Sequence, residues 1–595
     1  MSVLQSVLRR VRASEEYARL VEEIRRGSRV ISISGLAAGP ARALALSALQ
    51  REVGRCFAVV TEANRDLEAW ERDVRFWYCA LRGMAECDET VLTLPASESD
   101  PYAGASPHAE TLERRALTLW RLSREPQDFV LLTARALARR TVLPEEIALS
   151  GAVLKRDEDN APEELIEKLV ASGYVREDPV GAVGEFSMRG GILDVWSPGR
   201  NAPVRIEFFG DTVDSIREFD PETQLSTAQL KEVAIAPMRE LAVTRDDFRE
   251  WAARARERWS DERYARALRD RTVFADEGET FPGWEWLMPL LRERKASAFD
   301  YLKDAVLVID EPSGIESYLG NVYETLAARY AETESADELG LRPEELYLTA
   351  EELRGRLDQW QRLELRTLGR AAAVVDQGIA LDAETPEVLL GRVRGASAPL
   401  FLFPAVEAAP EVEWRAQSVR RYHGRLADLA SDVRRAQEER GALTLFVMPS
   451  LGVAERVAEI LADYGAQTRV ALIGEGGDAT ASTGAIVTVG RSSGGFELPA
   501  SGLIVHVESD LFDEAGDGAL EYRRAPGTTT TTGKRRKSKT AAFLSDFRDL
   551  KVGDYVVHVD HGIARFGGLQ TLDLGDRRGE FMLLYYADDA KLYVP

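Results

Sequence analysis

Short apolar runs alternate with amphipathic stretches through the first 140 residues, and this alternation constrains the fold more than any other feature of the chain. Two of the amphipathic stretches predict helices: Pro40 to Gln50, with proline in its first turn, and Asn64 to Gly83, with Asn64 as its cap. Three apolar runs predict buried strands: Arg29 to Ser34, Cys56 to Thr61 and Phe129 to Thr133. Strands that alternate with helices predict a parallel α/β sheet.

The pattern changes after the first 140 residues. A helical stretch from Glu163 to Ser172 leads into strand-rich sequence from Tyr174 to Phe219, where Gly210-Asp211 separates two alternating runs, as in a hairpin. We interpret this block as an inserted α+β domain. Helix-rich sequence follows, and then four more apolar runs predict strands: Ala305 to Ile309, Leu443 to Met448, Ile486 to Val489 and Leu503 to Val507. The last three predict a further α/β unit.

The clearest linker runs from Pro526 to Thr540. A threonine run is followed there by five cations between Lys534 and Lys539, a composition that cannot bury a core and predicts disorder. Residues 551–595 are dense in Val, Tyr, Leu and Phe with interspersed glycines, which predicts an all-β module.

The composition of the 595 residues excludes several classes of protein. The chain has 76 basic and 99 acidic residues, a net charge of −23, which argues against a protein that coats DNA over its whole surface. Three cysteines are too few for a disulfide framework, and we interpret Cys56 as a core residue. His558 and His561 are interpreted as structural residues, so no metal site is expected. No apolar run has the length of a membrane span, and we expect a cytoplasmic protein.

The turn after the first strand can be tested as a phosphate loop, which needs the pattern G-x4-G-K-[ST]. Counted from Gly35, the second glycine position holds Pro40, although Gly39 precedes it, the lysine position holds Ala41 and the hydroxyl position holds Arg42. Pro40 removes an amide donor and Ala41 removes the phosphate-binding charge. We therefore expect a degenerate loop that binds no nucleotide cofactor.

Asp310 and Glu311 follow an apolar strand and have the form of a magnesium-binding carboxylate pair. Without a phosphate cradle, we expect them to form local ion pairs and no catalytic residue to be present.

Several segments resemble, in the same order, the bacterial transcription-repair coupling factor (Mfd) family. The region 94–122 (LPASESDPYAGASPHAETLERRALTLWRL) is similar to one family stretch, and 184–219 (GEFSMRGGILDVWSPGRNAPVRIEFFGDTVDSIREF) resembles the small domain that the family shares with the repair protein UvrB. Residues 489–512 resemble the segment before the family's polymerase-binding module. Residues 553–595 are similar to that module, which also occurs in CarD-type transcription regulators.

The resemblance implies a multidomain α/β architecture. Its expected parts are a degenerate RecA/UvrB-like parallel-sheet body (1–140 and 241–425), a UvrA-binding α+β domain (141–240), an α/β domain (426–522), a basic linker (523–545) and an incomplete Tudor/CarD-like module (546–595). The implied function is that of an adaptor in nucleotide-excision repair that holds stalled RNA polymerase and recruits UvrA to the lesion. The family's ATP-dependent translocase motor is expected to lie outside these residues, so we expect no catalysis from this chain by itself. A UvrB-like ATP-dependent enzyme, a CarD-like regulator and a scaffold without a repair role remain alternatives.

Strand alternation places Arg205, Glu207 and Phe209 on one face of a strand and Ile206 and Phe208 on the other. A cation, an anion and an aromatic ring side by side indicate either a binding surface or a solvated strand. The resemblance implies that Arg189, Arg205 and Phe209 contact UvrA. We expect Arg205→Glu to abolish UvrA binding as a surface change that leaves the melting temperature almost unaltered.

Residues 546–595 contain nine acidic and six basic residues, a net charge of −3 that disfavours DNA as the ligand of this module. Only the basic linker is expected to touch DNA, weakly. The strand around Thr571, Leu572 and Asp573 could add to a partner's sheet through its backbone. By resemblance the partner is the β subunit of RNA polymerase, with Leu572 as the apolar anchor, while the alternative is that Leu572 lies in the module's own core.

Overall fold

The computed structural model describes residues 4–84, 90–367, 400, 402–403, 409–473, 485–512, 555–558, 562–573, 578–585 and 591–594. The α-helices, in chain order, are α1 (Gln5–Arg12), α2 (Glu15–Arg26), α3 (Gly39–Val53), α4 (Asn64–Arg82), α5 (Ala109–Arg124), α6 (Ala134–Ala138), α7 (Pro144–Ser150), α8 (Pro162–Ala171), α9 (Arg245–Arg258), α10 (Ala265–Asp276), α11 (Trp284–Leu287), α12 (Ala298–Tyr301), α13 (Pro312–Ser335), α14 (Pro343–Leu346), α15 (Ala350–Leu357), α16 (Leu426–Arg440), α17 (Leu451–Asp463) and α18 (Glu508–Leu511).

The strands are β1 (Val30–Leu36), β2 (Phe57–Thr61), β3 (Val91–Leu94), β4 (Phe129–Thr133), β5 (Ala152–Lys155), β6 (Val175–Arg176), β7 (Glu185–Arg189), β8 (Ile192–Val195), β9 (Val204–Phe209), β10 (Thr212–Phe219), β11 (Ser226–Leu230), β12 (Glu232–Ile235), β13 (Val306–Asp310), β14 (Arg362–Arg366), β15 (Glu411–Ala416), β16 (Leu443–Met448), β17 (Thr468–Val470), β18 (Ala485–Val489), β19 (Phe496–Leu498), β20 (Leu503–Val507), β21 (Tyr555–His558), β22 (Gly562–Asp573), β23 (Arg578–Tyr585) and β24 (Lys591–Val594).

Seven parallel strands form the sheet of the body, in the order β15-β1-β14-β13-β2-β4-β3. The predicted multidomain α/β class with a parallel-sheet body is therefore confirmed. The predicted cap of α4 is wrong: Ala63 holds the N-cap position, and the Asp66 carboxylate accepts a hydrogen bond from its backbone N–H. The Asn64 side chain instead exchanges two hydrogen bonds with the backbone of Ala96, at 3.1 and 2.9 Å, which fixes the end of β3.

The insertion after α7 consists of a six-stranded sheet, β11-β10-β9-β8-β7-β6, and a two-stranded ribbon of β12 and β5. Helix α8 covers one face of the larger sheet, and its Leu165 and Leu169 share a core with Phe186 and Ile206. The hairpin predicted at Gly210-Asp211 is confirmed, because β9 and β10 pair in antiparallel fashion on either side of it. One face of the sheet is thus closed by its own helix.

Strands β17-β18-β16-β20-β19 form the sheet of the further α/β unit. One face of this sheet shares a single apolar core with the body, since Leu445 and Val505 belong to the same buried cluster as Trp77. The ring of Trp77 lies 6.0 Å from that of Phe496 across the junction. The side chain and backbone of Ser493 both donate hydrogen bonds to the buried carboxylate of Asp73.

The final unit of the chain contains an antiparallel sheet in the order β21-β22-β23-β24. Thr571, Leu572 and Asp573 end strand β22, opposite Glu580, Gly579 and Arg578 of β23. The predicted basic linker (523–545) and His561 lie outside the described residues, as do the side chains of His558, Thr571, Leu572 and Asp573.

No helix in the part of the chain that the structure describes is long and apolar enough to cross a membrane. Among the same residues, no group of three His, Cys, Asp or Glu side chains is arranged to hold a metal ion.

Candidate functional site

The face of the six-stranded sheet opposite helix α8 carries Arg205, Glu207 and Phe209, the residues that the alternation within β9 predicts for a binding surface. Ile206 is fully buried and Phe208 packs against the core beneath the sheet, whereas Arg205 and Glu207 are partly exposed and Phe209 is 84% exposed. The predicted assignment of the two faces is therefore confirmed. Phe209 and the exposed Ile192 on the same face form an apolar patch beside charged groups, which makes this face the first candidate binding surface.

Arg205 is more deeply embedded in this face than the sequence suggests. Its guanidinium group donates hydrogen bonds of 2.7 and 2.8 Å to the two carboxylate oxygens of Asp194, which is buried on the neighbouring strand β8. The guanidinium carbon also lies 4.6 Å from the centroid of the buried Phe219 ring. The expectation that Arg205→Glu would be a simple surface change is wrong, because the new carboxylate would face the buried carboxylate of Asp194.

Glu207 is also engaged within the face. Its carboxylate accepts hydrogen bonds from the Arg217 guanidinium and, at 2.8 Å, from the Ser215 hydroxyl, both on strand β10. These contacts hold the Glu207 carboxylate in place and neutralise its charge. Glu207 thus contributes a fixed polar surface beside the exposed aromatic ring.

Arg189, Ile192 and Phe209 are exposed groups on this face. Arg189 pairs with Ile192 across the β7–β8 hairpin, and Ile192 in turn lies opposite Glu207. The guanidinium of Arg189 is held loosely, 3.4 Å from Asp178 and 3.6 Å from Asp194. A cation beside two exposed apolar side chains has the chemistry of a protein-binding hot spot.

Sequence reasoning missed Ile192, Asp194 and Arg217 as parts of this face. Asp194 could have been found, because a charged residue within the apolar run Ile192–Val195 requires a partner when it is buried. The other two become visible only once the pairing of the strands is known.

A buried charge cluster joins the inserted domain to the body. The carboxylate of Glu240 accepts hydrogen bonds from the Arg115 side chain at 2.5 Å and from the Thr141 hydroxyl at 2.6 Å. Burial alone would raise the pKa of Glu240, but the guanidinium groups of Arg115 and Arg139 outweigh burial and hold the pKa well below its usual range. Glu240 therefore anchors the domain in its charged form.

The residues at the phosphate-loop positions, 35–42, lie at the end of β1 and the start of α3. They form a turn that is closely packed against its neighbours. Gly35 has a φ of +86°, and a Cβ there would lie 3.1 Å from the carbonyl oxygen of Trp414, so the neighbouring strand β15 occupies the space beside the turn. Helix α3 starts at Gly39, with Pro40 in its first turn as predicted, and Pro40 and Ala41 are buried.

Arg42 binds the two carboxylates that would otherwise be available to a metal ion. Its guanidinium forms ion pairs with Asp310 and, at 2.6 Å, with Glu311, and it also donates to the hydroxyl of Thr367. The indole of Trp70 donates the second hydrogen bond to Asp310, at 2.7 Å. The predicted local ion pairing of Asp310 and Glu311 is confirmed.

These residues do not fit a magnesium–nucleotide complex. The carboxylates of Asp310 and Glu311 share the single guanidinium group of Arg42, and Ala41 offers no charge to a phosphate group.

The strand that carries Thr571, Leu572 and Asp573 pairs with β23 along one edge. On its other edge, β21 pairs only with residues 562–565. Among the strands that the structure describes, none pairs with the second edge of residues 566–573. Backbone N–H and C=O groups on such an edge can pair with a strand of another chain.

Two family models match the chain, and together they define a class of protein that combines two interaction domains. The model described as "UvrB interaction domain" matches residues 153–241, which include the open face of the six-stranded sheet. The model described as "CarD-like/TRCF RID domain" matches residues 550–595.

Curated relatives with the name transcription-repair-coupling factor resemble almost the whole chain. The one from Myxococcus xanthus is 31% identical over 98% of this chain and 46% of its own length. Those from Bacillus subtilis (26% identical, 98% and 46%) and Escherichia coli (25% identical, 85% and 40%) are also similar. The predicted resemblance to this family is therefore confirmed, and the chain spans about half the length of the curated relatives it matches.

Proposed function

We propose that this chain is an adaptor of transcription-coupled nucleotide-excision repair, which binds UvrA through its inserted domain and RNA polymerase through its last module. The observation that carries the proposal is the 84% exposure of Phe209 on a sheet face whose charged neighbours are already held in place. Such a face loses little conformational entropy when it binds, because Arg205 and Glu207 are ordered beforehand.

The UvrA-binding surface consists of Arg189, Ile192, Arg205, Glu207 and Phe209. Phe209 and Ile192 supply apolar contact, and Arg189 supplies a cation whose two carboxylate neighbours lie at more than 3.3 Å. Support for UvrA as the partner comes from the match of residues 153–241 to the UvrB interaction domain.

Pull-down of purified UvrA by the full chain tests this assignment. Phe209→Ala should reduce binding at least tenfold, since truncation of a hot-spot aromatic residue costs about 2 kcal/mol or more. Phe274→Ala is the matched control, because Phe274 is an exposed phenylalanine on α10, in the body. Equal UvrA binding by the two variants would contradict the assignment.

The second contact is proposed to form by strand addition at the edge of β22 that no described strand covers. The β subunit of RNA polymerase would supply a strand that pairs with residues 566–573, and Thr571, Leu572 and Asp573 would supply the side-chain contacts. Support comes from the match of residues 550–595 to the CarD-like/TRCF RID domain and from the unpaired edge among the described strands. The net charge of −3 in residues 546–595 favours a protein partner over DNA.

The proposed role of the body is to hold the two interaction domains without binding ATP. Arg42 acts there as an internal cation for Asp310 and Glu311. The basic linker is proposed to contact DNA only weakly, and motor activity is assigned to other parts of the full-length relatives.

A further inference from the structure

A polar cavity of about 280 Å³ lies in the α/β unit formed by β16 to β20. Its floor comes from two adjacent strands, with Thr444 on β16 and His506 on β20. Helix α16 forms a wall that includes Asp432, Arg435, Ala436 and Arg440. No partner contact proposed above uses this cavity.

His506 is the residue that points to a ligand. It is 4% exposed, its ring stacks 5.4 Å from that of Phe446, and the ring of Tyr422 meets it edge-on at 5.8 Å. Within the described residues, its Nδ1 atom has no hydrogen-bond partner. A buried ring nitrogen without a partner is uncommon in a folded protein, and here it belongs to a residue that lines a cavity.

The imidazole of His506 is neutral at physiological pH. Burial lowers its pKa to about 4, and the carboxylate of Asp432 offsets this effect only in part. A neutral imidazole carries one N–H donor and one acceptor, and the tautomer with its proton on Nδ1 donates to an oxygen atom of a ligand. The floor of the cavity therefore offers the uncharged hydrogen-bonding group of His506 to a ligand.

The mouth of the cavity carries three arginines and their carboxylate partners. Arg420, Arg435 and Arg440 line it, and each has more than half of its side chain exposed. Asp432 binds both Arg420 and Arg435, and Glu497 binds Arg440 at 2.7 Å. A third carboxylate, Asp428, lies 3.5 Å from Arg420 at the outer edge.

The carboxylates leave most of the guanidinium donors available. Each guanidinium group carries five N–H donors, and the carboxylate of Asp432 also accepts from the Tyr422 hydroxyl at 3.0 Å. Three arginines positioned by carboxylates around a polar cavity suit a tetrahedral oxyanion, because guanidinium groups bind such oxygen atoms in a two-point geometry.

We propose that this cavity binds the phosphate group of a small molecule, with the rim arginines on its oxygen atoms and His506 Nδ1 donating to it from the floor. The ligand can be inorganic phosphate or a mononucleotide, because both present phosphate oxygen atoms to the site. The site would give the α/β unit a ligand-binding role that is separate from the partner-binding domains.

Histidine-selective ¹³C NMR of the full chain tests the proposal, because the sequence contains only five histidines. Inorganic phosphate and adenosine monophosphate are titrated separately, and His506→Phe assigns the His506 signal. We expect a saturable shift of that signal with at least one of the two probes. Tighter binding of adenosine monophosphate would identify a nucleotide site, and equal binding would identify a site for phosphate alone.

Matched arginine variants on α16 locate the binding. Arg435→Gln should weaken phosphate binding about tenfold, as expected for the loss of one charge-assisted contact. Arg434→Gln should leave it unchanged, since Arg434 is exposed on the same helix and does not line the cavity. Calorimetry on His506→Phe should show weakened binding. Absence of a saturable shift with both probes, or equal affinity in all variants, would overturn the proposal.

Discussion

The guanidinium group of Arg205 binds both carboxylate oxygens of Asp194, a residue that is only 2% exposed. The same guanidinium lies over the ring of Phe219 and donates to the side chain of Gln224 at 3.0 Å. One arginine therefore neutralises a buried charge and forms part of the proposed UvrA-binding face, so its two roles must be separated by experiment.

Arg205→Ala should lower the free energy of unfolding of the inserted domain by about 2–3 kcal/mol, because Asp194 keeps its burial but loses two charge-assisted hydrogen bonds. Arg189→Ala, on the same face, should cost less than about 0.5 kcal/mol since its side chain is largely exposed. Urea unfolding of the full chain measures both. Equal small effects would show that Asp194 does not depend on Arg205.

Glu240→Gln should destabilise the chain by about 3 kcal/mol at neutral pH, because Arg115 and Arg139 lose their buried counter-charge. The folded-state pKa of Glu240 lies below its unfolded value, so its contribution is fully present above about pH 4.3 and is lost as the pH falls through the folded pKa. The stability difference between wild type and variant should therefore shrink in acid.

Urea midpoints measured from neutral pH down to about pH 3.5 check this dependence. The exposed Glu232→Gln is the control, for which we expect a small difference at every pH. If the stability difference between wild type and Glu240→Gln stays constant across this pH range, the charge of the Glu240 carboxylate does not contribute to stability.

The body should bind no Mg-ATP in the micromolar range, so any heat that calorimetric titration with Mg-ATP produces should be the same in wild type and in Asp310→Ala. Arg42 already occupies both carboxylates, and Ala41 removes the charge that would bind the β and γ phosphates. Ala41→Lys alone should not restore binding, because the ion pairs of Arg42 remain. Micromolar affinity that disappears in Asp310→Ala would refute this prediction.

Leu572→Arg should abolish co-purification with RNA polymerase while the circular dichroism of the chain stays unchanged. The same substitution at Leu583 is the control, since Leu583 is buried on β23 and an arginine there should disrupt the sheet. If Leu572→Arg disrupts folding as Leu583→Arg does, Leu572 belongs to the module's core. A folded Leu572→Arg variant that still binds polymerase would place the anchor elsewhere.

The uniformly apolar strands of the body could be predicted, and a charged central strand of the same sheet could not. Phe57–Thr61 and Phe129–Thr133 are buried along their whole length, so composition alone identifies them. β14 lies between β1 and β13 although its sequence is Arg-Leu-Glu-Leu-Arg. Its Arg362 and Glu364 are completely buried because they bind each other at 3.0 Å, a compensation that sequence patterns do not reveal.

The candidate site, too, could be predicted only in its local features. Alternation within β9 assigned the faces of its residues, because the period of two is a property of any strand. The role of Asp194 as the partner of Arg205 depends on how β8 and β9 pair, which is a tertiary feature. The cavity beside His506 also draws residues from separate segments, so no local motif marks it.

The apolar core that Trp77 shares with Leu445 and Val505 has a consequence for how the chain can be divided. Deletion of residues 409–512 would remove β15 from the seven-stranded sheet, uncover the side of the shared core that contains Trp77, and leave the carboxylate of Asp73 without its serine donors. The remaining fragment would expose a broad apolar surface to water and aggregate. The body and the α/β unit should accordingly resist limited proteolysis as one block, and a fragment that contains only one of them should not fold stably.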